Sequence, residues 1–514
     1  MADNQNSDEV VYTLVPQPGI KRDGTLLEGE NCADGQWVRF QRGKAKKMGG
    51  YRRITDGLTG PVRKFLVWSR KDLNACVSFS ASKIETLLVD NKLVGNAIND
   101  RTPAGFVASD ENVWSADTQY DDAVGSKGTI IVAHCNQSMT NIDDDTESKP
   151  YWALANSATS QFVPITDAPA VSGGVFTIAP YTVIYGSDGL VSWSDANQPQ
   201  VWSTSAVPGD AGSDRVTGAK IVAGLPLRAG KVAAILWSLD SVIRMDYIGG
   251  NGIFSFATLS SQSSILAQNS VIEYDGAYFW VGVDRFMYFD SSVKELPNDL
   301  NQNWFFDNLN YAAAQKIWAT KIPRFGEIIW FYPRGDSVEC NAAVVFNVRL
   351  KTWYDFSLSR SAGYYSQVRH FPLWIGSEVE GSGKYGLYQH EYGQNAVVGD
   401  NEEAICSFFT TQNFGYPTGG TGDAPNGISR WTRLTRVEPD FIQRGDMTCV
   451  VIGYEFAQAP PDQETAYNYT ETQGKIDMRE QRRHVMLRFE SNILNGFYEA
   501  GKVIIHTEAG DNRS

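Results

Sequence analysis

The strongest constraint in this sequence is a rhythm. For more than three hundred residues, apolar stretches of about five residues alternate with Asp/Gly-rich turns. Tryptophan recurs in these stretches at Trp68, Trp193, Trp237, Trp280, Trp330 and Trp374. Ser270–Asp290 reads as three strands with an Asp275-Gly276 turn, and Lys231–Gly249 as two strands meeting at Leu239-Asp240-Ser241. EIIWFYP, AAVVFN and TWYDF form a further trio. One such group cannot bury both of its faces alone. Groups of three or four short antiparallel strands, repeating at roughly forty to sixty residues, are how propeller blades read in sequence. The expected fold class is all-β, a β-propeller over residues 55–400. A large sandwich or several small β domains is the alternative that the pattern leaves open.

The flanks read differently. Residues 1–30 are polar and Gly/Pro-punctuated, an N-terminal arm held by another chain or loosely tied. Residues 31–54 give a strand, a turn at the paired glycines Gly49-Gly50 and a second strand. Trp37 and Phe40 have no hairpin partner upstream, so this segment is expected to pair with the C-terminal domain. Within the propeller, residues 298–318 carry the best helical pattern and are expected to be an insertion at a blade edge. Residues 401–514 alternate again, predicting an additional antiparallel β platform domain.

Composition narrows the function classes. The chain has 45 Lys+Arg against 59 Asp+Glu, a formal net charge of -14. A protein that coats itself in nucleic acid needs a dense positive footprint, so that class is disfavoured. Six cysteines without a CxxC spacing point to free thiols rather than a disulfide scaffold or zinc knuckle. The N-terminus lacks the basic and apolar regions of a signal peptide, and no apolar run reaches membrane-spanning length. GxSxG, HExxH and P-loop motifs are absent.

Two charged features stand out. Arg479, Arg482, Arg483 and Arg488 crowd into a short stretch with Glu480 and Glu490 among them. Basic side chains could hold phosphate, but interleaved carboxylates would repel it, so a subunit or adaptor interface is expected. The acidic runs Asp121-Asp122 and Asp143-Asp144-Asp145 are expected to be loops lining a lumen or the surface. The second run lacks the glycine and closing glutamate of a calcium loop.

HVMLRFESN (His484–Asn492), then G-F-Y-x-x-G-K-V-x-I (Gly496–Ile505) and E-A-G-D (Glu508–Asp511) resemble the C-terminal signature of podovirus tail hub proteins. These are also called nozzle or packaged-DNA-stabilisation proteins. QWVRFQRGKAKKMGGYRRI, LVSWSDANQPQVW, GKVAAILWSLDSVIRMDYIG and AAVVFNVRLKTWYDF are similar in kind to other stretches of that family. The resemblance implies a propeller with a platform domain, six copies forming a ring below the dodecameric portal adaptor. That ring carries tail fibres or spikes, and its channel touches exiting double-stranded DNA only transiently and without sequence preference. It also implies a virion tail protein made in the host cytoplasm, with no catalysis, no cofactor and no membrane insertion. The extended acidic loops depart from the shorter members of the family. The competing reading is a stand-alone propeller that binds or cleaves polysaccharide, since aromatic rings stack on sugars and carboxylate pairs can cleave glycosides.

Overall fold

A computed structural model describes residues 9–512, apart from 26, 71–72, 90–94, 124–126, 137–145, 204–208, 228–231, 366–370, 417–429 and 457–458. Six antiparallel sheets of four strands follow one another along the chain, each built from consecutive strands. Blades 1 to 6 begin with Val62–Arg70, Val113–Asp121, Gly174–Ile178, Ile221–Pro226, Ile272–Tyr274 and Trp318–Ile322. Blade 7 takes three strands from Arg360–Tyr364, Leu373–Gly376 and Tyr385–His390, and its fourth from the other end of the chain. That closing strand, Tyr51–Leu58, runs antiparallel to Tyr385–His390, with Tyr51 opposite His390. The first strands of blades 7 and 1 touch, so the ring is shut. Closure gives every blade a neighbour on both faces and leaves as edges only the short outermost strands.

The core is divided among the gaps between blades. One apolar cluster joins blades 1 and 2, and others join blades 2 and 3, 3 and 4, 4 and 5, and 5 and 6. Blades 7 and 1 share another, around Leu58, Phe65, Leu373 and Leu387. Both faces of a blade are therefore covered, which is why Glu327–Tyr332 and Ala342–Asn347 are buried at every position. Trp237, Trp280, Trp330 and Trp374 occupy the second strands of blades 4 to 7 and are at most 1% exposed. Trp237 meets Trp280 edge-on across the blade 4–5 gap at 5.6 Å. The indole N–H groups of Trp280 and Trp330 donate to the carbonyls of Ser264 and Ser270, so these buried donors are satisfied. Asp275 and Gly276 both adopt positive φ, 49° and 83°, as a two-residue hairpin turn requires.

The expected helical insertion is α1 (Gln302–Asp307) followed by a 3-10 turn, Tyr311–Lys316. It links blade 5 to blade 6 with one face packed and the other, including Asn303, Asp307 and Tyr311, exposed. Phe305 and Phe306 are buried, with ring centroids 5.0 and 5.5 Å from that of Phe286 of blade 5.

The platform has two sheets. The first orders Ile476–Arg482, Arg430–Arg444, Phe497–Asn512, Lys44–Lys47 and Val38–Gln41, with Val10–Leu14 also paired to Phe497–Asn512. The second orders Asp34–Gln36, Ser407–Thr410, His484–Ser491, Met447–Tyr454 and Gln463–Tyr469. The N-terminal arm is therefore bound to its own chain. Beyond Val10–Leu14, Arg22 pairs with Asp355 of blade 6 at 3.0 Å, and both Asp23 carboxylate oxygens accept from the first N–H groups of α1. The segment expected to pair wholly with the C-terminal domain divides instead. Residues 34–47 join the platform, while Tyr51–Ile54 begin the blade 7 closing strand. Gly49-Gly50 is the crossing point and not a hairpin turn: a Cβ on Gly50 would stand 2.2 Å from the Asn395 carbonyl oxygen.

Arg39 locks this crossing. Its guanidinium is 2% exposed and donates to Glu391 through Nη1 at 2.8 Å and Nη2 at 2.5 Å. Nη2 also donates to Glu327 of blade 6 at 3.2 Å, and the group lies 3.7 Å from the Phe325 ring centroid. Removing one partner of such a buried pair strands the other charge. Arg39→Met is therefore expected to cost about 3–5 kcal/mol in urea unfolding, with part of the loss recovered by adding Glu327→Gln. A loss near zero would contradict the structure.

His134 supplies a pH dependence. It is fully buried on blade 2, with Nε2 3.0 Å from the Val171 carbonyl oxygen, and burial pushes its pKa from 6.5 down to about 4. The unfolded chain takes up this proton near pH 6.5 and the folded chain resists until about 4. Stability is therefore lost as pH falls through that window, by about 1.4 kcal/mol per unit. His134→Gln should flatten this part of a stability–pH profile. Identical slopes in the two proteins would refute the assignment.

Candidate functional site

The basic stretch lies on two platform strands, Ile476–Arg482 and His484–Ser491. Residues two apart on a strand share a face, so the alternating signs pair within the chain. Arg482 Nη2 donates to Glu480 at 2.5 Å, with both side chains about nine-tenths buried, and the Tyr467 hydroxyl donates to the same carboxylate at 2.6 Å. Arg488 Nε donates to Glu490 at 2.6 Å, and its guanidinium stands 5.7 Å from the Phe408 ring centroid. Arg483 donates to the Glu455 carbonyl at 2.9 Å. Arg479 is exposed and makes no ion pair among the described residues. The stretch is therefore an internally compensated surface with one outward charge, not a row of unpaired cations. Arg482 is a structural residue, and reversing it cannot probe an interface cleanly.

The acidic candidates separate too. Asp121 is not in a loop: it ends the first strand of blade 2, fully buried, accepting from Gln200 Nε2 at 2.6 Å and the Ala123 N–H at 2.9 Å. Asp122 is exposed and pairs with Lys127 at 3.0 Å. Asp143, Asp144 and Asp145 lie outside the described residues.

Sequence reasoning assigned no residue to the axial tunnel of the propeller. First strands of all seven blades line it, enclosing about 350 Å³. Its wall carries Arg63, Lys64, Asp117, Glu273 and Lys321, together with Gln268 and Asn269 from the turn before blade 5. Arg63 grips Glu339 with bonds of 2.6 and 2.8 Å, and Lys321 donates to Glu273 at 2.8 Å. Asp117 accepts from the Thr118 and Thr177 N–H groups and from the Thr177 hydroxyl. Asp117 and Glu273 stand on non-adjacent blades, each held by partners of its own. A glycosidase needs two carboxylates flanking one bond; the carboxylates of this wall are Asp117 and Glu273. The signal was available in GPVRKFLVWS, whose strand starts with two cations, but without a blade order no face could be assigned to them.

Among the described residues, no group of three His, Cys, Asp or Glu side chains is placed to hold a metal ion. Among these residues, too, no helix is long and apolar enough to cross a membrane. The six cysteines are free thiols, five of them buried.

No family model matches the chain, and no curated protein matches it. Among solved structures it is similar to a protein from Bacteroides fragilis described as exported, at 6% identity and a TM-score of 0.30, over 66% of this chain and 94% of that one. A likeness at that level carries neither fold nor function over to this chain.

Arg482 and Arg479 separate structure from surface. Arg482→Glu sets a buried carboxylate against Glu480 and should destabilise the platform by about 2–4 kcal/mol. Hydrogen exchange should quicken in Arg430–Arg444 and Ile476–Arg482. Arg479→Glu should stay within about 0.5 kcal/mol of the wild type. Equal effects would contradict this placement.

Proposed function

We propose that this chain is the structural hub, or nozzle, of a short-tailed bacteriophage tail. Six copies form a ring below the dodecameric portal adaptor, retain the packaged DNA, give it an exit channel and anchor tail fibres or spikes. The observation that carries the reading is the union of a closed propeller with a two-sheet platform. The platform's central strands, His484–Ser491 and Phe497–Asn512, are the stretch that resembles the tail hub signature. Charge supports it as well. A chain of net charge -14 repels a polyanion, and with Arg482 and Arg488 each paired to a glutamate the stretch keeps little adhesive footprint for passing DNA. Retention would then depend on a protein gate made of loops, which can move at the cost of a few local contacts.

The competing reading is a solitary propeller acting on polysaccharide, and the two differ in assembly. Light scattering and negative-stain imaging of the full chain should find six-fold rings. A monodisperse monomer that binds or cleaves polysaccharide would overturn the proposal.

A further inference from the structure

We propose that the axial tunnel is a binding site for a small oxyanion, held by Lys64. The tunnel wall carries three cations, and two of them have a carboxylate partner in the chain: Arg63 with Glu339 and Lys321 with Glu273. Lys64 is the exception. Among the described residues its Nζ makes one hydrogen bond, a long one of 3.4 Å to Asn269 Oδ1, and no ion pair. The nearby Asp117 carboxylate acts on it through space, but Asp117 is occupied by Thr118 and Thr177. An ammonium group has three donors, so Lys64 retains capacity that no residue of the wall uses. Lys64 is half-buried in the wall; holding a charge away from bulk water without a partner is costly, and desolvation holds the Lys64 pKa below the ordinary lysine value. A counter-charge from outside the chain relieves that cost.

The surroundings suit a small polar guest. A volume of about 350 Å³ is at the small end of ligand sites and far too narrow for a duplex. Next to Asn269, Gln268 reaches across to a polar collar on the wall. A Cβ placed on Gly174 would lie 2.5 Å from Gln268 Nε2, 2.5 Å from the Tyr185 hydroxyl and 2.8 Å from the Ser115 hydroxyl. Groups from blades 2 and 3 and from the turn before blade 5 thus crowd over the open side of Gly174. Together with Lys64, they offer an oxyanion one charged donor and several neutral ones. The shared chemistry is a compact anion with two or more acceptor oxygens, either a carboxylate or inorganic phosphate. This inference is independent of the proposed function, because it concerns the tunnel within one chain and not the channel of a ring.

Acetate and inorganic phosphate are the probes, titrated separately into the full chain by calorimetry at constant ionic strength, with chloride as the control. Saturable binding of one anion is expected, weakened at least tenfold in Lys64→Met. Acetate binding alone assigns a carboxylate ligand, and phosphate binding alone assigns phosphate. Lack of saturable binding by both, or equal affinity in Lys64→Met, overturns the proposal. Should that variant fail to fold, the wild-type unfolding midpoint decides. It must rise with one of the two anions at tens of millimolar, and a midpoint unmoved by either overturns the proposal equally.

Discussion

Arg39 sits where three parts of the chain meet. The residue belongs to a platform strand, Glu327 to blade 6, and Glu391 follows the third strand of blade 7. One cation faces two carboxylates, and burial with the neighbouring Glu391 charge pushes the Glu327 carboxyl above its usual range, even against the pull of Arg39. The Tyr354 hydroxyl donates to Glu327 at 2.6 Å and satisfies one of its oxygens. Such a network adds little to stability compared with an apolar filling, yet it is costly to break. Its value is geometric. It fixes how the first platform strands approach the propeller, and so where the closing strand that starts at Tyr51 enters blade 7.

That entry point matters because the ring is shut by a strand borrowed from the chain's beginning. The closing strand and the platform strands are separated only by residues 48–50, so neither domain is closed without the other end of the chain. A single large apolar cluster shows the merger in packing: it contains Trp318, Phe331 and Tyr354 of blade 6, Trp374 of blade 7, and Leu434, Val451, Phe489 and Ile505 of the platform.

Local features of the fold were legible and distant ones were not. Tryptophan spacing revealed the blades because each blade buries both faces and needs a large ring in each gap. The Asp275-Gly276 turn was legible because a two-residue hairpin demands positive φ at both positions. Pairing of Tyr51–Leu58 with Tyr385–His390 joins residues more than three hundred apart, and no local pattern encodes it. Gly49-Gly50 was misread as a turn for a related reason: the backbone it must clear, at Asn395, is remote in sequence. Among the site candidates, the charge alternation around Arg482 was visible. Its meaning reversed once strand geometry put Arg482 and Glu480 on the same face, buried beneath Tyr467. Lys64 was equally visible as a residue and invisible as a site, since only the ring order turns it inward.

Native-state hydrogen exchange on the wild-type chain tests most directly whether propeller and platform form one unit through residues 34–58. Amides of Val38–Gln41, Tyr51–Leu58, Tyr385–His390 and Phe497–Asn512 should exchange through a common opening, with one free energy and one denaturant dependence. If the closing strand and blade 7 open at markedly lower free energy while the platform strands stay protected, the two domains are independent and the account is wrong.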